Sequence, residues 1–331
     1  MAFDKYIYEK AENEIKRRRL RAEGDAETRS SEVELKIPEV KEITERLSQT
    51  SIELSKLILK NKGDFKENFD KIKNQNIQGQ EMIRSLLLKN GYPADYLEPE
   101  YTCDKCRDKG FFEGQRCSCF EKLLTRFAVE KLNAEANMPD CDFEHFSLSY
   151  YKGKTTESGM DCFKRMSDNL NSCKQYAETF SLHSQSLFLF GRTGIGKTHI
   201  SLSIAKEVIK RGFTVAYGSL LNYLRIIEKE HFGRSENPET DTLQILISVD
   251  LLILDDLGSE FRTSFYESVI YNIINSRINL GLPTIINSNL SIPELQNNYN
   301  DRIISRLSSV YCMIPFVGED IRQIKRLKGE F

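Results

Sequence analysis

The chain has 331 residues, a length that suggests about two domains, and its 40% apolar residues supply enough material for a hydrophobic core. Its 47 basic and 49 acidic residues leave a net charge of −2, so the overall charge neither favours nor excludes a nucleic-acid partner. The amino terminus is charged and lacks the apolar segment of a secretory signal. Because no apolar stretch reaches the length of a membrane span, we expect a cytoplasmic protein without a membrane partner.

Residues 1–98 are rich in charged residues and leucine, which predicts a helical region that binds a partner. Residues 4–23 predict a charged helix that contains a basic run, Lys16–Arg21. This run either contacts nucleic acid or a partner, or forms a solvated helix face balanced by neighbouring glutamates. We favour the solvated face.

Two further helices are predicted in this front region, after a break at Ser30–Pro38. The first has apolar residues at helical spacing over residues 40–58 and is expected to end near Asn61-Lys62-Gly63. The second covers Gln78–Asn90 and is followed by a glycine and a proline, which together form a helix stop signal. None of these helices carries a catalytic motif.

Four cysteines lie within seventeen residues, in a segment for which we assign a small module at 99–122. Thiolates at this spacing suit a tetrahedral Zn²⁺ with sulfur ligands at about 2.3 Å and no open position, which is a structural site. Reduced cysteines without a metal, or an iron–sulfur cluster, are the alternatives. The predicted zinc ligands are Cys103, Cys106, Cys117 and Cys119.

A connector is predicted at 123–158, with helical character over residues 121–138. Phe143 and Phe146 lie near its end and either pack beside a nucleotide base or anchor the connector on the following domain. Residues 159–331 form that domain.

The domain contains a strand-to-helix turn that fits the phosphate-loop pattern G-x-x-x-x-G-K-[ST]. Glycines allow the backbone N–H groups of such a loop to converge on phosphate oxygens. Lys197 is then placed to reach the β- and γ-phosphates, and the Thr198 hydroxyl to ligate Mg²⁺. A glycine-rich turn that binds nothing is the alternative, but the apolar strand before it and the amphipathic helix after it favour nucleotide binding. The residues of the loop are Gly191, Arg192, Thr193, Gly194, Ile195, Gly196, Lys197 and Thr198.

A third strand, Val249–Asp255, ends in acidic residues about sixty positions after the phosphate loop. Carboxylates at the end of a parallel strand line the crevice of an open α/β sheet, which is the Walker-B arrangement. Asp255 is expected to hold Mg²⁺, and Asp256 or Glu260 to orient or deprotonate the attacking water. A plain turn at the strand end is the alternative.

Five short apolar strands alternate with helices, which predicts an α/β fold with a five-stranded parallel sheet. Asn289 ends one of these strands, where its amide is able to contact the γ-phosphate or the attacking water. A short helix, Asp301–Ser308, and a basic helix, Glu319–Lys328, complete the pattern. The predicted strands are Ser186–Phe190, Thr214–Ser219, Val249–Asp255, Thr284–Asn289 and Val310–Phe316.

The motifs, in chain order, are the phosphate loop, followed by LLILDDLGSE, TIINSNL, DRIISRL and GEDIRQIKR. Their order resembles that of the AAA+ ATPases of the bacterial helicase-loader group, the DnaC and DnaI type. IstB-type transposition ATPases share this core. The resemblance covers residues 140–331, and the cysteine knuckle before FEHF is similar to zinc-bearing loaders. It implies an AAA+ core that uses ATP and Mg²⁺ and has a reduced lid, since about fifteen residues follow the last strand.

The resemblance also implies assembly into a ring or spiral of identical subunits, in which a neighbour completes each ATP site. Arg306 matches the arginine finger of the family, with Arg302 as the second choice, although a surface ion pair at this spacing is the alternative. Asn289 matches the sensor-1 position and Arg322 the sensor-2 position. Because Asp256 stands where many relatives have a glutamate, hydrolysis is expected to be slow or dependent on a partner.

Three functions are compatible with these residues. The preferred hypothesis is an ATP-dependent loader that delivers the replicative helicase onto single-stranded DNA, with the helical front and the cysteine module docking the helicase. An IstB-like ATPase that regulates transposition, or a nucleotide-binding adaptor with little hydrolysis, are the alternatives. As in loaders, single-stranded DNA is expected to contact aromatic and basic side chains past Walker B, unless these belong to the core. The candidates are Phe261, Arg262, Phe265 and Tyr266.

Overall fold

A computed structural model describes residues 3–60, 65–135, 140–233 and 241–329. Its contacts group into two compact units, one formed by Glu12–Phe120 and the other by Met1–Ala11 together with Glu121–Phe331. The four segments expected from the sequence remain a prediction. Three expected features lie outside the described residues: the end of the second front helix, the last residues of the connector helix, and most of the polar segment 231–240.

The front unit consists largely of helices. The break expected at Ser30–Pro38 is confined to Ile37, because the first helix continues through both serines to Lys36 and the next helix begins at Pro38. The Ser31 hydroxyl donates to the carbonyl of Glu27 one turn earlier, and Val33 and Ile37 extend a buried stripe along the same face. These helices are α1 (Lys5–Lys36), α2 (Pro38–Lys60) and α3 (Phe65–Lys89), of which α2 and α3 pack against each other.

The basic run of α1 forms the solvated face that we favoured. Arg17 and Arg18 both pair with Glu14, and Arg19 pairs with Glu23 one turn further on. Pairs at this helical spacing stabilise a helix by only a few tenths of a kcal/mol. The local acids therefore compensate these three guanidinium groups.

The five-stranded parallel sheet predicted from the sequence is confirmed, in the order β4-β5-β6-β3-β7. Because β6 lies between β3 and β5, the carboxyl ends of these three strands are neighbours, and the segments that follow them meet at one edge of the sheet. The strands are β3 (Leu187–Phe190), β4 (Val215–Ser219), β5 (Leu251–Leu257), β6 (Thr284–Ser288) and β7 (Cys312–Pro315). A separate hairpin is made of β1 (Phe111–Phe112) and β2 (Gln115–Arg116).

Helices connect the strands and flank the sheet, and two of them, α8 and α10, have only seven residues and were not expected from the sequence. The helices are α4 (Ser118–Glu135), α5 (Cys162–Glu178), α6 (Lys197–Lys210), α7 (Leu220–His231), α8 (Thr242–Ser248), α9 (Ser264–Leu280), α10 (Ile292–Asn298), α11 (Asp301–Val310) and α12 (Ile321–Lys328). No helix in the described ranges is long and apolar enough to cross a membrane.

The main core combines alternate residues of the strands with apolar side chains of α5 and α6. Leu189, Ile253 and Ile285 face this cluster from three neighbouring strands, and Met166 and Ile204 fill it from the helices. Burial of this apolar surface makes the largest favourable contribution to the stability of the sheet. The core therefore fixes the edge at which the phosphate loop and the acidic strand end meet.

A fully buried arginine lies inside this unit. Arg277 of α9 is completely buried, and its guanidinium group donates five hydrogen bonds to oxygen acceptors. The acceptors are the Thr284 hydroxyl and the carbonyls of Leu246, Ile247, Val249 and Pro283. Burial lowers the pKa of Arg277 to about 10, so the group remains charged at neutral pH. It ties the end of α8 to the start of β6.

Candidate functional site

A cleft of about 440 Å³ opens at the carboxyl ends of the strands. It brings together the second half of the phosphate loop, the two acids of β5, Asn289 after β6 and three residues of α12. Its lining residues are His145, Phe146, Ser147, Tyr150, Thr193, Gly194, Gly196, Lys197, Thr198, His199, Asp255, Asp256, Asn289, Ile321, Arg322 and Lys325.

The glycines of the phosphate loop are required by close packing as well as by backbone angles. Gly191, Gly194 and Gly196 all have positive φ values, of 139°, 76° and 87°. A Cβ atom on Gly191 would collide with the carbonyl of Phe316, and one on Gly194 with the carboxylate of Asp320. The segment that leads into α12 therefore packs directly against the loop, and only glycine is accommodated at these two positions.

Lys197 begins α6 and lies in the floor of the cleft with 5% of its surface exposed. Its ammonium group donates to the carbonyls of Gly191 and Arg192 at 2.7 and 2.8 Å, and to Oδ1 of Asn289 at 2.7 Å. Burial lowers the pKa of Lys197 to about 8, although the charges of Asp256 and Asp255 act in the opposite direction. The cleft thus contains a buried cation in the position where the motif requires one.

Both acids of β5 line the cleft, although neighbouring residues of a regular strand point to opposite faces. A β-bulge explains this. Leu254 pairs with Ile286 and Leu257 with Ser288, so that two residues of β5 face one residue of β6. Asp256 has a φ of 60°, an arrangement that costs a non-glycine residue on the order of 1 kcal/mol. The bulge turns the second carboxylate towards the phosphate loop.

Asp255 accepts hydrogen bonds from four donors. The Thr198 hydroxyl lies 3.0 Å from Oδ2, which also accepts from the Tyr217 hydroxyl at 3.0 Å. Asn287 donates to Oδ1 at 2.9 Å, and the backbone N–H of Asp256 to the same atom at 3.2 Å. Sequence reasoning missed Tyr217 and Asn287, because only the pairing of strands β4, β5 and β6 reveals that their side chains share a face with Asp255.

Asp256 forms a hydrogen bond with Asn289, the residue that follows β6. Nδ2 of Asn289 donates to Oδ1 of Asp256 at 2.9 Å, while Oδ1 of Asn289 accepts from Lys197. The pKa of Asp256 is raised above its usual value, mainly by burial and secondly by the negative charge of Asp255. A carboxylate with a raised pKa is a stronger base, which is a property required of a group that activates water.

Two predicted residues lie elsewhere. Glu260 accepts a hydrogen bond from the backbone of Gly258 at 2.9 Å and another from the Tyr299 hydroxyl, and it is not among the described residues that line the cleft. Arg306 donates to Oδ1 of Asn275 at 2.8 Å, and its guanidinium carbon lies 4.6 Å from the ring centroid of Tyr271. Arg322, by contrast, lines the cleft together with Lys197.

An aromatic wall closes one side of the cleft. Phe146 stacks on Tyr151 with ring centroids 6.0 Å apart and meets the His199 ring edge-on at 5.4 Å. The Tyr151 hydroxyl donates to the carbonyl of Ile195 in the phosphate loop at 3.1 Å. Of the two phenylalanines considered in the sequence, Phe146 therefore contributes to the cleft, whereas Phe143 packs against the core.

The four cysteines of the front unit converge. Their sulfur atoms all lie within 4.8 Å of one another, with Cys103 and Cys117 at 3.7 Å and Cys106 and Cys119 at 3.4 Å. A tetrahedral ion with sulfur ligands at about 2.3 Å requires sulfur–sulfur distances of roughly 3.8 Å. The donor set fits a structural zinc knuckle.

The knuckle is shaped by its backbone. Asp108 is buried, and its carboxylate accepts the N–H groups of Thr102 and Cys103 at 2.8 and 3.1 Å. Between the cysteine pairs, β1 and β2 are joined by Glu113 and Gly114, which have φ values of 50° and 76°. Two consecutive positive φ angles are the requirement of a tight two-residue hairpin turn. These elements bring the two cysteine pairs together.

Comparison with known proteins identifies the ATPase-like half of the chain. The sequence model of the IstB-like ATP binding protein family matches residues 130–314, which include the phosphate loop, both acids of β5 and Asn289. The chain belongs to this family. Membership of this family and the residues that line the cleft both indicate that the protein binds ATP. The hydroxyl of Thr198 and the carboxylate of Asp255 are oxygen ligands of the kind that suits Mg²⁺.

Curated relatives of this IstB-like protein include helicase loaders. The replicative helicase loader DnaC of Escherichia coli strain K12 is 25% identical over 168 residues, which are 51% of this chain and 63% of the relative. The replicative helicase loader DnaI of Bacillus subtilis is 30% identical over 145 residues, 43% of each chain. The matches thus span less than two thirds of these relatives. A crystal structure of DnaI has a TM-score of 0.43 at 20% identity and covers 55% of this chain and 90% of its own.

Proposed function

We propose that the protein is an ATPase that loads the replicative DNA helicase onto single-stranded DNA in the cytoplasm. The observation that carries this proposal is the cleft in which Lys197, Thr198, Asp255, Asp256 and Asn289 converge, within a chain whose curated relatives are named as replicative helicase loaders. The relatives supply the biological role, and the cleft supplies the chemistry.

In this proposal the residues of the cleft divide the work on ATP. Lys197 and Arg322 bind phosphate oxygens, and Thr198 and Asp255 hold Mg²⁺, which neutralises charge on the phosphates. Asp256 accepts the proton of the attacking water or orients it, because its carboxylate lines the cleft and Glu260 is bonded to Tyr299 instead. Asn289 keeps Asp256 and Lys197 in place through its two hydrogen bonds.

The test uses the replicative helicase of the same organism and a circular single-stranded template. We expect the full-length protein with ATP to stimulate strand displacement by the helicase, and a Lys197→Ala variant to fail because it no longer binds ATP. Nucleotide binding by that variant at unchanged affinity would refute the assignment of the cleft. A wild-type protein that binds ATP but never stimulates the helicase would refute the loader role alone.

A second candidate function follows from the family match, because the matched family is that of IstB-like ATP binding proteins. In this alternative the protein is an ATPase that regulates transposition on duplex DNA. Copurification from the native lysate separates the two: we expect the tagged protein to recover the replicative helicase in the presence of ATP. Recovery of a transposase without helicase would favour the alternative.

We further propose that Arg306 acts as an arginine finger in the ATP site of a neighbouring subunit of a homo-oligomer. In support, Arg306 is not among the described residues that line the cleft of its own chain, and it donates instead to Asn275 of α9 and to the carbonyl of Arg302 on its own helix. Arg306→Ala should keep ATP binding and lose partner-stimulated hydrolysis, whereas Arg302→Ala provides the matched control on the same helix. Loss in the control alone would assign the finger to Arg302.

For single-stranded DNA we propose a contact surface at the end of α7 and the start of α9. Phe261 and Phe232 are 67% and 56% exposed, and the rings of His231, Phe232 and Phe265 lie within 5.7 Å of one another. Tyr266 is buried and donates to Glu228, which makes it a weaker candidate. Since stacking of a base on an aromatic ring contributes about 1–3 kcal/mol, Phe232→Ala or Phe261→Ala should weaken binding to an oligonucleotide roughly tenfold.

A further inference from the structure

Tyr217 is a buried tyrosine to which the proposed chemistry assigns no role. It lies on β4, has 7% of its surface exposed, and its hydroxyl donates to Oδ2 of Asp255 at 3.0 Å. The Thr198 hydroxyl donates to the same oxygen atom from the start of α6. Oδ2 of Asp255 thus accepts hydrogen bonds both from Thr198, a predicted magnesium ligand, and from Tyr217, which is not among the described residues that line the cleft.

The four donors around Asp255 are all neutral: two hydroxyls, one carboxamide and one backbone N–H. They satisfy its lone pairs but do not neutralise its charge, and Asp255 is 7% exposed. The charge of Asp255 acts on buried Lys197, but the ammonium group of Lys197 donates to Gly191, Arg192 and Asn289 rather than to Asp255. A buried carboxylate of this kind is costly unless a cation compensates it. The arrangement therefore favours a carboxylate held in one orientation and ready for a cation.

The hydroxyl of Tyr217 has one proton, and that proton is directed at Oδ2 of Asp255. The hydrogen bond therefore favours one orientation of this carboxylate.

The position of Tyr217 is itself fixed by a side chain of α4. Nδ2 of Asn133 donates to the carbonyl of Val215 at 2.7 Å, and the N–H of Tyr217 donates to Oδ1 of Asn133 at 2.9 Å. β4 is at one end of the sheet, so its outer backbone groups have no neighbouring strand in the described part of the chain. The carboxamide of Asn133 takes the place of that strand at the residue that contacts Asp255.

We propose that Tyr217 is a positioning residue for the magnesium site, and that Asn133 of α4 acts on the same site through the backbone of Tyr217. This inference rests on the proposed function, in which Thr198 and Asp255 hold Mg²⁺ beside ATP. The Tyr217 hydroxyl fixes the rotamer of Asp255, so that no reorientation of the carboxylate is needed when the ion binds. Hydrogen-bond partners of metal ligands commonly affect metal affinity by about tenfold or more.

The test separates positioning from general stability. For wild type and Tyr217→Phe, the affinity of a fluorescent ATP analogue is measured in the full-length protein with Mg²⁺ and again with EDTA. We expect the gain in affinity that Mg²⁺ provides to fall about tenfold in the variant, while the affinity in EDTA and the melting temperature stay unchanged. A purely structural role would lower both affinities together, and that result would overturn the proposal.

Two further variants complete the test. Tyr223→Phe is the matched control, because Tyr223 is also buried and its hydroxyl has no hydrogen-bond partner in the described part of the chain. It should retain the full gain from Mg²⁺. Asn133→Ala should reduce the gain in the same direction as Tyr217→Phe but by less, since it acts through the backbone. A gain unchanged in Tyr217→Phe overturns the inference, and a gain unchanged in Asn133→Ala alone overturns the role of Asn133.

The outcome distinguishes this inference from the function on which it rests. A wild-type protein that binds the analogue equally well with Mg²⁺ and EDTA contradicts the proposed magnesium site, and the positioning role fails with it. A normal gain in the wild type that persists in Tyr217→Phe contradicts only the positioning role.

Discussion

The cysteine module and the ATP-binding unit, Met1–Ala11 with Glu121–Phe331, both bring electron-rich atoms together around one point, but they do so differently. In the module, four sulfur atoms from two pairs converge within 4.8 Å of one another and suit an external ion. In the ATP-binding unit, the guanidinium group of Arg277 gathers five oxygen atoms from α8, Val249 after α8, Pro283 before β6, and β6 itself. A cation at the cysteine cluster would be an external ion, whereas the guanidinium group is part of the chain.

The two arrangements differ because the apolar core around the cysteine cluster is much smaller than the core around Arg277. The strands of the module have two residues each and are exposed, so they bury little apolar surface. The ATP-binding unit has a continuous core around its sheet, and Arg277 only completes its polar interior. We therefore expect the short module to depend on a ligand for its folding energy, and the residues of the ATP cleft to be held in place by the core of their own unit.

The largest effect is expected from removal of the metal. Because structural zinc contributes on the order of 10 kcal/mol to folding of a small module, Cys106→Ala should abolish bound metal and expose residues 99–122 to proteases. Elemental analysis of the purified protein would also distinguish zinc from iron. ATP binding should persist, because the cleft has its own core.

The control is Cys141→Ala, which removes a thiol outside the cluster and should retain the metal. If Cys106→Ala also lost ATP binding, the ATP cleft would depend on the cysteine module, and the contrast between the two regions would be wrong.

A smaller but still large effect is expected at Arg277. Arg277→Met leaves several buried carbonyls without donors, and unsatisfied groups of this kind cost about 1–3 kcal/mol each. We expect the free energy of unfolding to fall by roughly 4 kcal/mol, measured by urea denaturation. Arg211→Met is the control, because Arg211 donates to one carbonyl, that of Ala177. Equal losses in the two variants would show that the buried position has no special importance.

The chemistry of the cleft provides the third prediction. Asp256→Asn should lower the turnover number for ATP by about a hundredfold, since a positioned base contributes that much or more to catalysis, while ATP affinity stays similar. Glu260→Gln should have a minor effect, because Glu260 is bonded to Gly258 and Tyr299 away from the cleft. Steady-state assays in the presence of the activating partner measure both. A larger loss in Glu260→Gln would reverse the assignment.

Much of the cleft was predictable from the sequence because its motifs are local. Gly191–Thr198 is one continuous pattern, and Asp255 ends an apolar run that is recognisable alone. Tyr217 and Asn287 were missed because their importance depends on which strands are neighbours. The order of strands results from packing of the whole sheet, which no short segment encodes.

The same reasoning explains the errors in the elements. Ser30 and Ser31 suggest the start of a break, but buried Val33 continues the stripe of α1 beyond them and outweighs the low helix propensity of serine, so that the chain breaks only at Ile37. The bulge at Asp255 and Asp256 could not be anticipated either, because both residues are typical of a strand end. It is a property of the pairing between β5 and β6, and it decides that both acids line the cleft.

The smallest predicted effect is a pH dependence of ATP affinity that originates in Lys197 of the cleft. Burial lowers the pKa of Lys197 to about 8 in the free protein, and phosphate oxygens of bound ATP would raise it again. Well below pH 8 the ammonium group is protonated in both states, so this residue adds no pH dependence. Above about pH 8 binding must take up a proton, and ATP affinity should fall by up to about tenfold per pH unit.

Calorimetry in buffers with different ionisation enthalpies measures that proton directly. Uptake should approach about one proton per ATP near pH 9 and vanish near pH 7, as linkage requires for a group whose pKa rises on binding. Lys197→Arg is the control, because a guanidinium group stays charged throughout this range and its affinity should not vary with pH for this reason. Equal proton uptake by the wild type and Lys197→Arg would contradict the prediction, since the proton would then come from another group in the cleft.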